Sequence, residues 1–335
     1  MKVSKLQEVY ILSNKEIYKK TLKFSVKKLL VDFLSIVLLA ALCSVGFIVL
    51  EQTVGKGLIG LAIGLIIGII ALIFISRFVS YSLKAGQIAM MTKGIVENEL
   101  PDDVYKEGKA IVKSRFKTVA AFFAITGVIK GIFNQLGKLI TSVGEKVGGN
   151  AGETIGAVIS GVVQVIISYL CDCCLGWVFF REGQNAAKAT CEGAVIFFKH
   201  GKTLAKNAGR IFGMGVVSLL VIGGAFFGIF YGISFLVPDI FKTLASEVAE
   251  ASVRFSIDAP AFLTDANVIA LIISGILGVI VWSILHSTFI RPFVLTGVLR
   301  NYIESGKDNI PSEDSFAFLD SKSSKFAKLR KEAGV

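Results

Sequence analysis

Residues 58–79 read LIGLAIGLIIGIIALIFISRFV, and this stretch decides the fold. Arg77 is its one charged residue. As a helix it reaches about 33 Å at 1.5 Å per residue, enough to cross a hydrocarbon layer about 30 Å thick. Lipid offers no partner to a free backbone N–H or C=O, so such a stretch must be helical.

Five further apolar runs of similar length flank it, at about 29–50, 118–136, 155–180, 211–237 and 268–290. The fold class expected is therefore all-α, a polytopic transmembrane bundle of six spans. The third run is the least regular, because Lys130 interrupts it and Asn134 and Gln135 follow. A re-entrant or interfacial segment is the alternative there. Composition agrees with a lipid environment: mean hydropathy is +0.70 and 18% of residues are charged, against about 25% in soluble domains. The first run follows 28 residues carrying eight lysines, too far in and too polar for a secretory signal. Leu42 before Cys43 does not suit a lipoprotein cleavage site, so the first span is read as retained.

Charge sets the orientation. Segments 1–28, 83–117, 181–210 and 291–335 carry 29 of the 36 Lys and Arg residues, and the alternate loops carry six. The positive-inside rule then puts both termini in the cytoplasm, in a multi-pass protein of the plasma membrane. The net charge of +11 is accounted for by topology and by attraction to anionic lipid headgroups. No basic soluble domain is long enough for a nucleic-acid partner.

Self-comparison reveals a repeat. Shifted by 210, residues 59–116 fall without a gap on 269–326, where Pro101 meets Pro311 and Ser114-Arg115-Phe116 meets Ser324-Lys325-Phe326. Shifted by 97, Lys84-Ala85-Gly86-Gln87 meets Arg181-Glu182-Gly183-Gln184. Before the odd spans, Lys20-Thr21-Leu22, Lys109-Ala110-Ile111 and Lys202-Thr203-Leu204 correspond, with Lys28, Arg115 and Arg210 at the mouths. The expected plan is three tandem helical hairpins, each led by an amphipathic cytoplasmic elbow helix: 1–101, 102–195 and 196–311, then a basic tail at 312–335. Together they form a single membrane domain. Mitochondrial carriers also have three hairpins, but their long linkers lie within repeats and carry a motif that this chain lacks.

Two sets of residues stand out inside the spans. Glycines recur every fourth position at Gly60, Gly64 and Gly68 and at Gly224, Gly228 and Gly232, ladders that let helices approach closely. Ionisable residues in lipid are expensive and point to function; here Arg77, Asp172 and His286, with Lys130 apart, are the candidate substrate or ion site. In the repeat register the first three lie within about one turn of a common height. A pseudo-threefold bundle would pair Asp172 with Arg77 and leave His286 for proton coupling. The competing reading is that Arg77 and His286 snorkel to the interface. Lys20, Lys28, Lys109, Arg115, Lys202 and Arg210 are the candidate contacts to lipid headgroups.

Catalytic and metal chemistry find little support. Cys171-Asp172-Cys173-Cys174 suggests soft-metal ligation, but a structural zinc takes four ligands and His200 and His286 are the only histidines. No metal, cofactor or enzymatic activity is expected. The stretch 152–311 resembles the choline transporter-like family, through Cys173-Cys174 before a basic linker, Gly201-Lys202-Thr203-Leu204-Ala205-Lys206-Asn207-Ala208 before a glycine-rich span, and Leu299-Arg300-Asn301 after the last span. That resemblance implies a helical transporter for choline-like cations. This chain has fewer spans and no large outer loop after the first, and no substrate residue carries over.

The functional expectation is a membrane transporter or channel for a small solute, a choline-like cation or a lipid-related molecule. The alternative is a non-transporting scaffold or assembly factor that binds anionic lipid or a cytoplasmic partner. An oligomer is compatible with either.

Overall fold

The computed structural model describes residues 11–145, 152–199, 201–254 and 260–334. Among them there is no strand. The helices are α1 (Asn14–Val54), α2 (Gly57–Ile75), α3 (Tyr81–Val96), α4 (Val104–Ser114), α5 (Phe116–Glu145), α6 (Gly152–Phe180) and α7 (Ala186–Lys199). They continue as α8 (Gly201–Ser218), α9 (Gly224–Ser234), α10 (Pro238–Arg254), α11 (Ala266–Leu285), α12 (Arg291–Gly306), α13 (Glu313–Lys322) and α14 (Ser324–Ala333).

Four helical stretches are long and apolar enough to cross a membrane: Asn14–Val54, Ile59–Val96, Gly209–Ser234 and Ala266–Gly306. Two of the expected runs behave differently. In α5, Val119, Phe122, Ile129 and Ile132 are buried against protein, and in α6 every residue from Leu170 to Phe179 is buried. An apolar run signals burial, and protein serves as well as lipid.

The first elbow and first span are one helix. Ser13 and Glu16 form a capping box at the start of α1, and no break separates the lysine-rich beginning from the apolar remainder, which corrects the expected separate elbow there. Gly55, at φ +65°, ends α1 in the left-handed conformation, and α2 returns antiparallel after Lys56. The Gly60, Gly64 and Gly68 ladder meets α1 closely. A Cβ built on Gly60 would stand 1.9 Å from the Gly46 carbonyl oxygen, one on Gly64 2.3 Å from the Leu42 oxygen, and one on Gly68 2.4 Å from Leu39 Cδ1.

Among the described residues three helices contain π turns. Those at Ser76–Ser80 and His286–Ile290 lie 210 residues apart, as do both ends of the helices that follow them, α3 and α12. The third, Leu219–Gly223, joins α8 to α9. After α6 the chain turns through Gly183, at φ +80°.

The chain divides into two compact units, Met1–Phe212 with Pro292–Val335, and Gly213–Arg291. The interior of the first is built from α3, α6, α7 and α12. Trp177 and Tyr302 are its largest buried side chains. The Tyr302 hydroxyl donates to the Gly193 carbonyl at 2.5 Å. Glu192 is buried because Trp177 Nε1 at 3.0 Å and Arg181 Nε at 2.9 Å both donate to its carboxylate, as a buried charge requires. The tail expected to be merely basic is folded: Arg330 pairs with Asp320 at 2.6 Å and with Glu313, and α14 packs on α5 and α7.

In the second unit the close helix approach comes from Gly278, where a Cβ would stand 2.9 Å from the Gly223 carbonyl oxygen. The expected ladder of Gly224, Gly228 and Gly232 makes no such approach among the described residues. Among the described residues no neighbouring atom lies within 4 Å of a Cβ on any of the three.

Candidate functional site: a basic cleft

The first unit holds a cleft of about 600 Å³ lined by Lys28 of α1, Ser76, Arg77 and Ser80 of the π turn, Tyr81 and Lys84 of α3, and Phe123, Thr126, Gly127 and Lys130 of α5. It opens where the apolar stretch of the second span ends. The π turn shapes its wall. An α-helix that bulges by one residue re-aims the side chains it carries, a common device at functional sites.

Four cations line the cleft, in two states. Lys28 Nζ lies 2.5 Å from Asp32 Oδ2, and Ser80 Oγ donates to Asp32 Oδ1 at 3.3 Å. Lys84 Nζ lies 2.5 Å from Asp172 Oδ1, whose side chain is 7% exposed. Arg77 and Lys130 have no acidic partner among the described residues. The Arg77 guanidinium lies over the Phe123 ring at 5.9 Å, and Phe123 in turn meets Tyr81 edge-on at 4.7 Å. Tyr81 Oη is buried, with Thr126 as a polar neighbour but no hydrogen bond of ordinary length. Thr126 itself donates to the Phe122 carbonyl at 2.9 Å. The result is a positive pocket.

The structure therefore joins three of the residues singled out in the sequence, Arg77, Lys130 and Lys28, and sets Asp172 just behind them. The expected Asp172–Arg77 pair is corrected, because Lys84, on the next turns of the same helix as Arg77, takes the carboxylate. His286 belongs to the second unit. Its Nδ1 shares a hydrogen bond with Ser218 Oγ at 2.9 Å, and Trp282 Nε1 donates to the same oxygen at 3.1 Å.

The other candidate headgroup contacts divide. Lys20 and Lys109 are exposed, and the Lys202 side chain lies outside the described residues. Arg210 lies over the Phe293 ring at 5.7 Å. Arg115 has a structural task instead: its guanidinium donates to the Phe179 and Val178 carbonyls at 3.1 and 2.9 Å, closing the C-terminal end of α6.

Sequence reasoning missed Asp32, Tyr81 and Lys84. Asp32 was findable, as an acid inside the first apolar run four residues after Lys28, the spacing of a helical ion pair. Tyr81 and Lys84 sit just beyond the run. Only the packing of α3 against α5 and α6 turns them into site residues.

Among the cysteines, Cys174 Sγ lies 3.7 Å from Tyr302 Oη, and burial pushes the Cys191 thiol up to about 12. Compared with known protein families, with curated proteins and with solved structures, the chain matches none.

Proposed function

We propose that this chain is a polytopic membrane protein of tandem helical hairpins, with both termini in the cytoplasm, that holds an anionic lipid headgroup in the basic cleft. The observation that carries this reading is Arg77 beside Lys130 without a carboxylate, at the end of an apolar helix, where headgroups lie. The charge of the cleft favours an anion over a choline-like cation.

Several facts support the hairpin plan. Lys and Arg partition to one set of loops. Two π turns and the helices after them repeat at a spacing of 210 residues. From Gly152 to Asp172, α6 rises through twenty residue steps, about 30 Å at 1.5 Å each.

The test is lipid retention. Protein extracted in mild detergent and analysed by native mass spectrometry should carry anionic lipid, and an Arg77→Ala, Lys130→Ala double variant should lose it. Equal retention by both proteins overturns the reading.

Transport of a small solute has separate support in the π turns, which sit at Arg77 and His286 and offer two helices an alternative register. Under that reading Asp172→Asn abolishes flux into proteoliposomes while insertion is unchanged. Flux equal to that of the parent protein rejects it.

A further inference from the structure

We infer that the cleft is built for a doubly charged phosphate, a phosphomonoester, in preference to a singly charged phosphodiester; this rests on the headgroup reading above. The first argument is charge balance. Lys28 and Lys84 are each matched by a carboxylate, Asp32 and Asp172. Among the described residues Arg77 and Lys130 are not, so the cleft carries two positive charges that no described carboxylate compensates. A phosphomonoester carries about −1.5 to −2 at pH 7 and neutralises both, whereas a diester, at −1, leaves one.

The second argument is the number of donors. A monoester presents three terminal oxygens and a diester two. The cleft offers the Arg77 fork on the helix Ile59–Val96 and the Lys130 ammonium on α5. Arginine suits this geometry because its planar fork grips two oxygens at once. With the fork on two oxygens, a monoester presents a third terminal oxygen to the Lys130 ammonium, and a diester does not.

The third argument is shape. The space of about 600 Å³ exceeds a bare phosphate, and Phe123 gives one wall an apolar face. The group attached to the phosphate is therefore accommodated along Phe123, whether it is the glycerol of a lipid or the body of a soluble ester.

The experiment uses the full chain in detergent. Binding is measured for dioleoyl phosphatidate, a monoester lipid, and dioleoyl phosphatidylglycerol, a diester with the same chains, with dioleoyl phosphatidylcholine as the neutral reference. Phosphatidate should bind about tenfold more tightly than phosphatidylglycerol, the worth of one charge-assisted hydrogen bond. Arg77→Gln with Lys130→Gln should erase that preference, and Lys106→Gln, exposed and outside the lining of the cleft, should keep it. Competition with inorganic phosphate and glycerol 3-phosphate separates the sources: displacement of phosphatidate at millimolar concentration assigns the site to a soluble ester, and none assigns it to the lipid. Equal binding of the two anionic lipids overturns the monoester inference and leaves the headgroup reading standing. Anionic lipids that bind no better than phosphatidylcholine overturn both. The charge-preserving pair Arg77→Lys and Lys130→Arg separates lost charge from lost folding, since it should retain most of the preference.

Discussion

One continuous helix, Ile59–Val96, lives in two surroundings. Along its first half nearly every large side chain is exposed, with Ile66 at 60%, Ile70 at 62% and Phe74 at 62%, and the glycines alone are buried. Along its second half every residue from Ala85 to Thr92 is buried, with Ala85, Met90 and Met91 at 0%. The half with the greasier sequence is the bare one. Within lipid an exposed isoleucine costs nothing, so contact is made by small residues that bring backbones together. Where the helix leaves the apolar band, burial again follows the rules of a soluble core, and Gln87 is accepted because its amide donates to Ser25 Oγ at 3.1 Å and to the Thr21 carbonyl at 3.4 Å.

The sharpest way to break this comparison is in the packed half. Trp177→Ala removes the largest side chain of that interior and should cost about 3–5 kcal/mol, read as a lowered unfolding midpoint in detergent. Lys84→Met leaves the Asp172 carboxylate buried without its ammonium and should cost about 3 kcal/mol; a double variant with Asp172→Leu should recover part of the loss.

The apolar half should respond to different changes. Gly60→Val forces a side chain against the Gly46 backbone and should destabilise the first hairpin by about 1–3 kcal/mol, whereas Ile66→Ala and Ile70→Ala should each stay within about 0.5 kcal/mol. Comparable losses from all three variants would show that the exposed face is covered by something other than lipid.

The smallest effect is expected at Asp103, whose side chain caps α4 by accepting from the Lys106 N–H at 3.1 Å. That backbone hydrogen bond holds its carboxyl below the ordinary value. The cap thus supports the helix above the unfolded carboxylate pKa, about 3.9, and the support fades as pH falls through the lower folded value. Circular dichroism between pH 5 and pH 2 should register it, and Asp103→Asn should flatten the response.

Much of the architecture was legible because composition reports the surrounding solvent directly. The runs that became α1, α2, α9 and α11 could be read from hydropathy alone. Those in α5 and α6 could not be resolved in the same way, since Val119, Phe122 and Ile129 look identical whether lipid or protein covers them. The site was half legible. Arg77 and Lys130 announced themselves as charges in apolar surroundings, but which carboxylate neutralises which cation depends on how α3 meets α6, and no spacing encodes that. The two glycine ladders show the same limit. Period four at Gly60 and at Gly224 is the same text, yet only the first faces a neighbour, while the real approach of Gly223 to Gly278 uses one glycine from each helix and leaves no periodic trace.

The π turn at Ser76–Ser80 makes that helix tolerant of a particular kind of lesion. A π turn accommodates one residue more than a regular helical turn, so excising a single residue there lets the hydrogen-bond ladder close as an ordinary α-helix. The same excision four residues earlier would wind Gly60, Gly64 and Gly68 about 100° away from α1. The bulge is thus a seam at which chain length can change by one, and its counterpart at His286–Ile290 marks a second place for such an edit.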